Sequence, residues 1–286
     1  MADYAIEALS ASRVKEVSIL GRRGPVQAAF TTVEVKELGG LPGADVVVRP
    51  EEAALDALSA AELETARAAT KAKVEIVQEF SRRTPAGKPR RLNIRFLVSP
   101  HELLGDGGGR VAGLRLAKNR LVKGPTGAVV TEPTGETEEL PAGLVFRSVG
   151  YRGVPLPDVP FDDRAGLIPN AKGRVLDPAT GTPIAGHYAT GWIKRGPTGV
   201  IGNNKADSAE TVNALLADAA AGALPTPARP DPADLETLVR ERQPSFVSFA
   251  DWKRLDRLEV ERGQAQGRPR VKFTSVEEML AALAGN

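Results

Sequence analysis

The stretch that most restricts what this chain can fold into is Gly191 to Lys205, GWIKRGPTGVIGNNK. An apolar run with two small residues, Ala189 and Gly191, leads into it. Trp192 and the Lys194-Arg195 pair follow, and Gly196-Pro197 make a turn. The spacing then predicts a helix from about Thr198 to Ala221, with Val212, Leu215, Leu216 and Ala219 on its buried stripe. The first N–H groups of such a helix, those of Gly199, Val200 and Ile201, have no partner inside it, and the macrodipole favours negative charge there. Small residues let a flat or anionic ligand approach the backbone. The same residues also read as an ordinary helix entered through a Gly-Pro turn, and spacing alone does not separate the two.

A second motif lies near the start. A helical face at Ala2, Ile6 and Leu9 comes first, then Glu16 to Leu20 (EVSIL), which reads as a buried strand. It runs into Gly21-Arg22-Arg23-Gly24. Pro25 suits a first helical turn, so a helix is expected over 26 to 38. A strand–loop–helix unit belongs to the α/β class. Arg22 and Arg23 stand at the C-terminal end of the strand, where open α/β sheets bind nucleotides. An acidic residue there would hold a ribose 2′-hydroxyl; a positive pair suits a 2′-phosphate, hence NADP over NAD. Two arginines in a loop are also commonly just solvated.

Further strands are expected over 45 to 48, 92 to 98, 111 to 121, 128 to 131, 144 to 148 and 183 to 190. A capping box at Ser59 and Glu62 predicts one helix running toward Phe80. Gly105 to Gly109 reads as a hairpin turn and 135 to 139 as a polar turn. The basic residues Arg82, Arg83, Lys88, Arg90, Arg91 and Arg95 read as a solvated loop or as a docking surface for an acidic protein. No aromatic residues interleave with them, so nucleic acid is not an expected partner. A Pro-rich linker over 225 to 232 leads to tail helices over 234 to 241, 249 to 262 and 275 to 283.

Composition removes several classes of chemistry. The absence of cysteine excludes disulfides, thiolate metal sites and a redox-active Cys pair. Two histidines with no local ligand cluster predict no metal site, and His187 is expected to be structural. A net charge of +2 means that any basic docking surface is local. No apolar run reaches membrane-spanning length and no signal peptide precedes the first helix, so a cytoplasmic place with no membrane partner is expected.

GWIKRGPTGVIG closely resembles the flavin-binding signature of the adrenodoxin-reductase-type ferredoxin–NADP reductases. LGRRGPVQAAFTTVEVKEL (20 to 38), RSVGYRGVPLPDVPFDD (147 to 163) and GRPRVKF (267 to 273) match the family in the same order. The resemblance covers essentially the whole chain. It implies an FAD-dependent enzyme that passes a hydride from NADPH to flavin and single electrons to ferredoxin or another iron–sulfur carrier. It also implies that Trp192, Gly199, Val200 and Ile201 contact FAD, that Arg22, Arg23 and Glu34 hold NADP, and that Gly199 touches its nicotinamide portion. No residue is implied as a catalytic acid, base or nucleophile.

No GxGxxG occurs in the chain. The family carries one Gly-rich turn for the FAD pyrophosphate and a second, of GxGNxAxD type, and by the resemblance both lie upstream of Met1. The expected fold is therefore α/β and partial. An NADP-binding domain over 1 to 140 lacks its first strand and Gly-rich turn, the C-terminal part of an FAD domain spans 141 to 224, and a helical extension spans 225 to 286. A truncated reductase, a catalytically dead remnant and one half of a split reductase, with a separate N-terminal half as partner, all fit that expectation. A phosphate- or RNA-binding protein on the same scaffold is a further alternative.

Overall fold

The computed structural model describes residues 1–197 and 201–285, except for the side chains of Ile201 and Asn203. It forms two compact units, Asp3–Phe146 and Arg147–Asn286.

In the first unit, α1 (Asp3–Ser10) precedes β1 (Glu16–Leu20), α2 (Thr32–Gly39), β2 (Ala44–Val48), α3 (Pro50–Ala53), α4 (Ala57–Thr65), α5 (Ala68–Arg82) and β3 (Arg90–Arg95). The three strands form a parallel sheet in the order β1-β3-β2. Val35 of α2, Val77 and Phe80 of α5, Val48 of β2 and Ile94 of β3 share one core with Phe96. β1 was expected to be buried. It is an edge strand whose Val17 and Ile19 are exposed, because β3 pairs with it on one side.

Two helix boundaries differ from expectation, each because a capping residue outweighs the apolar pattern. The helix predicted from Pro25 begins only at Thr32. Thr31 and Glu34 form a capping box, Thr31 Oγ1 accepting from Glu34 N–H at 3.2 Å and Glu34 Oε2 from Thr31 N–H at 2.6 Å. Residues 24–31 are therefore a loop. The helix expected to start at Ser59 is two helices. Asp56 caps α4 by accepting from Ser59 N–H at 2.7 Å, and α5 starts after Arg67.

β3 ends at Arg95, and the chain turns at Leu97, whose φ is 57°. It enters a second, antiparallel sheet of β4 (Val98–Gly105), β5 (Val111–Lys123) and β6 (Val129–Pro141). The single strand expected over 92 to 98 is thus split between two sheets. The 105–109 segment closes the β4–β5 hairpin, Asp106 accepting from the N–H groups of Gly108 and Arg110. Residues 135 to 139, expected as a turn, lie inside β6 beside a register shift in its pairing with β5.

Arg95, expected in a solvated or docking loop, is buried. Its guanidinium binds Glu52 at 2.7 Å and Glu138 at 2.7 Å, and Phe96 N–H donates to Glu52 at 2.9 Å. Burial acts against its charge, but the two carboxylates more than offset this and its pKa is raised. The network ties β3 to α3 and β6.

The second unit holds β7 (Asn170–Ala171), β8 (Arg174–Leu176) and β9 (Pro183–Tyr188), a small antiparallel sheet, then α6 (Trp192–Arg195) and α7 (Ile201–Ala220). Residues 144 to 148 are not a strand, and Phe146, Val149 and Tyr151 stand exposed. The tail folds as α8 (Pro232–Arg242), α9 (Phe249–Gln264) and α10 (Val276–Ala284). GRPRVKF returns along α9. Arg270 pairs with Asp256 and Glu259, and Arg262 lies 4.1 Å from the centroid of the buried Phe273 ring. Among the described residues, no helix is long and apolar enough to cross a membrane.

Replacing Arg95 with Met should cost roughly 3–5 kcal/mol, because Glu52 and Glu138 lose the partner of a buried ion pair. Breaking the exposed Lys118–Glu136 pair with Lys118→Ala should cost about 0–1 kcal/mol. Urea unfolding of the two variants beside the parent chain measures both.

Candidate functional site

The first candidate site is the loop Gly21 to Phe30 at the C-terminal end of β1. Its course is set by the crossing between the two sheets of the first unit. Gly21 N–H donates to Arg95 O at 2.9 Å, Val98 N–H to Gly21 O at 3.1 Å and Leu97 N–H to Arg23 O at 3.2 Å. A Cβ at Gly21 would sit 3.3 Å from Arg95 O, so a side chain there would push the crossing apart. Asn119, buried on β5, donates from Nδ2 to Arg22 O at 3.0 Å and to Ser99 Oγ at 2.7 Å. With their carbonyls held from within, Arg22 and Arg23 carry exposed side chains.

Glu34 lies on α2 at the far end of this loop. Its carboxylate is engaged at the helix cap, and the Thr31 N–H, then the Thr31 hydroxyl, hold its pKa below the ordinary carboxylate range. Two residues that hold the loop, one within it and one beneath it, carried no sequence signal. Gln27 reaches Glu62 at 2.8 Å and Ser59 Oγ at 3.4 Å. Lys73, buried on α5, donates to Ala28 O at 2.5 Å and to Val26 O at 3.4 Å.

The second candidate site is the turn that carries Trp192. Gly191 has φ 76° and caps α6, a conformation that suits glycine. A Cβ there would meet nothing within 4 Å, so the backbone faces open space. Trp192 is 48% exposed and stacks on Tyr151, ring centroids 5.8 Å apart. The turn is clamped to α7 by charge. Asp207 accepts from Gly191 N–H at 2.5 Å and pairs with Lys194 at 3.1 Å. Lys194 also binds Glu210 at 2.7 Å and Thr211 Oγ1 at 3.1 Å. Burial pushes Asp207 up, but Gly191 N–H and Lys194 outweigh it and hold its pKa low. For Lys194, burial acts downward and is outweighed by Glu210 and Asp207, so its pKa is raised.

The face of α7 that packs is therefore not the expected apolar stripe. Asp207, Thr211, Ala214 and Asp218 face the turn and sheet. Asp218 binds Arg174 at 2.7 Å and Tyr188 at 2.6 Å, and Thr211 lies so close to Gly173 that a Cβ there would come 2.4 Å from Thr211 Oγ1. Val212, Leu215 and Leu216 are exposed. Gly199 and Val200 lie outside the described residues, and Ile201 is described as the first residue of α7. His187 is exposed, its Nδ1 3.0 Å from Ala185 O. Among the described residues, no group of His, Cys, Asp and Glu could hold a metal ion.

An arginine-bearing loop at the carboxyl end of a parallel strand stands where open α/β sheets bind nucleotides. No protein-family model matches the chain. NADPH-ferredoxin reductase FprA of Mycobacterium leprae is 44% identical over 281 residues, which are 98% of this chain and 59% of that protein. Mitochondrial NADPH:adrenodoxin oxidoreductase of Bos taurus is 43% identical over 98% of this chain and 57% of its own length. The solved structure of Mycobacterium tuberculosis FprA in complex with NADPH superposes with a TM-score of 0.87 at 43% identity, over 99% of this chain and 61% of that one. Over nearly all of its own length the chain is similar to the adrenodoxin-reductase-type ferredoxin–NADP reductases, and it spans about three fifths of the length of these relatives.

Asp207→Asn should detach the Trp192 turn. In a Trp252→Phe background, Trp192 fluorescence should shift at lower denaturant than in the parent. Asp207 has a folded-state pKa below its unfolded value, so its contribution is present above the unfolded pKa and fades as pH falls through the folded one. The parent's Trp192 transition should accordingly weaken in acid, with a much smaller pH effect in the variant.

Proposed function

We propose that this chain carries the NADP 2′-phosphate corner and the flavin-ring end of an FAD-dependent NADPH–ferredoxin oxidoreductase. The observation that carries the reading is the Gly21–Phe30 loop, which presents Arg22 and Arg23 outward at the carboxyl end of a parallel strand while Asn119 and the sheet crossing hold its backbone. Guanidinium groups are suited to phosphate by planar, bidentate geometry. Two exposed arginines on a braced loop fit a 2′-phosphate. Glu34, at the cap of α2, stands by the same loop, where it orients the adenosine end.

The residues of the second site fit a flavin ring. Trp192 offers a partly exposed aromatic face, and Gly191 leaves the backbone open beside it. Flavin, when bound, accepts a hydride and releases single electrons. The part of this chain is placement. Lys194 and Asp207 fix the turn; Trp192 would pack near the isoalloxazine and nicotinamide rings, and the N–H groups of Gly199, Val200 and Ile201 would serve the end of the flavin where negative charge grows on reduction. Gly199 also touches the nicotinamide portion. The electron acceptor is ferredoxin or a similar iron–sulfur carrier.

We further read the chain as the C-terminal portion of that architecture, with an NADP-binding part over 1 to 140, FAD-domain residues over 141 to 224 and a helical extension over 225 to 286. The open edge of β1 with exposed Val17 and Ile19 and the exposed Phe146 in the first unit, and the outward Val212, Leu215 and Leu216 in the second, support this reading. Each is apolar surface of the kind that folded proteins cover. Neither Gly-rich pyrophosphate turn of the family is in the sequence.

Two outcomes are expected. In a reductase completed with the family's Gly-rich portion, Arg22→Ala with Arg23→Ala should weaken NADPH use far more than NADH use, each phosphate contact being worth roughly 1.5–3 kcal/mol; equal losses in steady-state kinetics with the two nucleotides would refute the phosphate role. The chain alone should purify without flavin absorbance and fail to reduce ferredoxin, because the strong contacts to a pyrophosphate are missing. A yellow protein that turns over NADPH would overturn the partial reading.

A further inference from the structure

Lys73 occupies a core position. It shares the inward face of α5 with Val77 and Phe80, at the spacing where an apolar residue packs. Lysine is almost never buried unless it is paired. Yet among the described residues its ammonium makes no salt bridge. Its partners are two backbone carbonyls, Ala28 O at 2.5 Å and Val26 O at 3.4 Å, and the Phe30 ring, 5.7 Å to the centroid. All three belong to the loop that follows Arg22 and Arg23.

We propose that Lys73 is a positioning residue of the phosphate corner, bracing the 24–30 loop behind the arginine pair and adding a third positive charge, so that the corner prefers a nucleotide carrying a 2′-phosphate. The proposal rests on the reading of Arg22 and Arg23 as the phosphate-binding pair. Carbonyl oxygens orient an ammonium but do not neutralise it, so the charge is left to act on its surroundings. The charged groups that face it are Arg23, which repels it, and Glu62, which attracts it. Glu62 already accepts from Gln27 of the same loop at 2.8 Å. Lys73 and Arg23 set against the one carboxylate of Glu62 leave a local excess of positive charge that a bound dianion relieves. Burial first, and Arg23 second, lower the pKa of Lys73. Its charge is therefore lost at a lower pH than that of an ordinary lysine.

The experiment uses the chain as it stands and two probes that differ by one group, adenosine 2′,5′-bisphosphate and adenosine 5′-monophosphate, with affinities from calorimetry. The parent should prefer the bisphosphate, and Arg22→Ala with Arg23→Ala should abolish that preference. Lys73→Met should cut the preference by about tenfold, a loss of ~1.4 kcal/mol, with a melting temperature equal to or above the parent's. Lys73→Gln, which keeps a donor for the carbonyls without the charge, should fall between Lys73→Met and the parent, and Lys73→Arg should restore most of the preference. Raising pH from about 7 to about 10 should erode the preference earlier in the parent than in Lys73→Arg. If both neutral variants keep the parent's preference, or weaken both probes equally, the inference about Lys73 is wrong while the arginine reading stands. The same holds if the parent and Lys73→Arg show identical pH profiles. A parent without preference, or one unaffected by loss of the arginines, would instead remove the underlying reading.

Discussion

The first unit depends on one backbone crossing. Where β3 leaves the parallel sheet, the chain turns through Leu97 into β4, and the Gly21 to Arg23 segment lies across that turn, joined to it by hydrogen bonds at Gly21, Arg23, Leu97 and Val98. Asn119 closes the arrangement from β5, its N–H donating to Leu97 O at 2.7 Å and its amide to Arg22 O. Backbone groups buried away from water must find partners, and here the strand-end loop and the sheet junction supply each other's. The backbone at Gly21 to Arg23 is therefore held by the junction itself. The buried Arg95 network holds the same junction from the other side, since Glu52 binds both the guanidinium and Phe96 N–H.

The second unit is built on an inverted arrangement of polarity. Its long helix packs through Asp207, Thr211 and Asp218 and turns Val212, Leu215 and Leu216 outward. Buried carboxylates are costly unless each lone pair is met. Asp207 meets Gly191 N–H, Thr190 and Lys194, and the partly exposed Asp218 meets Arg174 and Tyr188. Those bonds fix the short turn that carries Trp192. One helix thus braces the candidate flavin face while leaving apolar surface open.

Much of the candidate site was legible in the sequence. The Gly-Arg-Arg-Gly loop at a strand end and the turn before the long helix depend on residues adjacent in the chain, and local spacing reports them. So does the family, because its motifs are contiguous. Even the late start of α2 was present in the sequence as Thr31-x-x-Glu34, a capping signal that the preceding proline obscured.

By itself, then, the sequence determined the α/β class, the strand-end loop that carries Arg22 and Arg23 and the turn that carries Trp192. Tertiary structure alone decided which charges are buried and what they hold. Arg95 meets Glu52 across 43 residues, Lys73 meets Ala28 across 45 and Arg174 meets Asp218 across 44. Periodicity treats a charged residue as solvent-facing because, taken alone, its burial is unfavourable. A partner far along the chain reverses that sign, and its position is a property of the folded chain rather than of any local pattern.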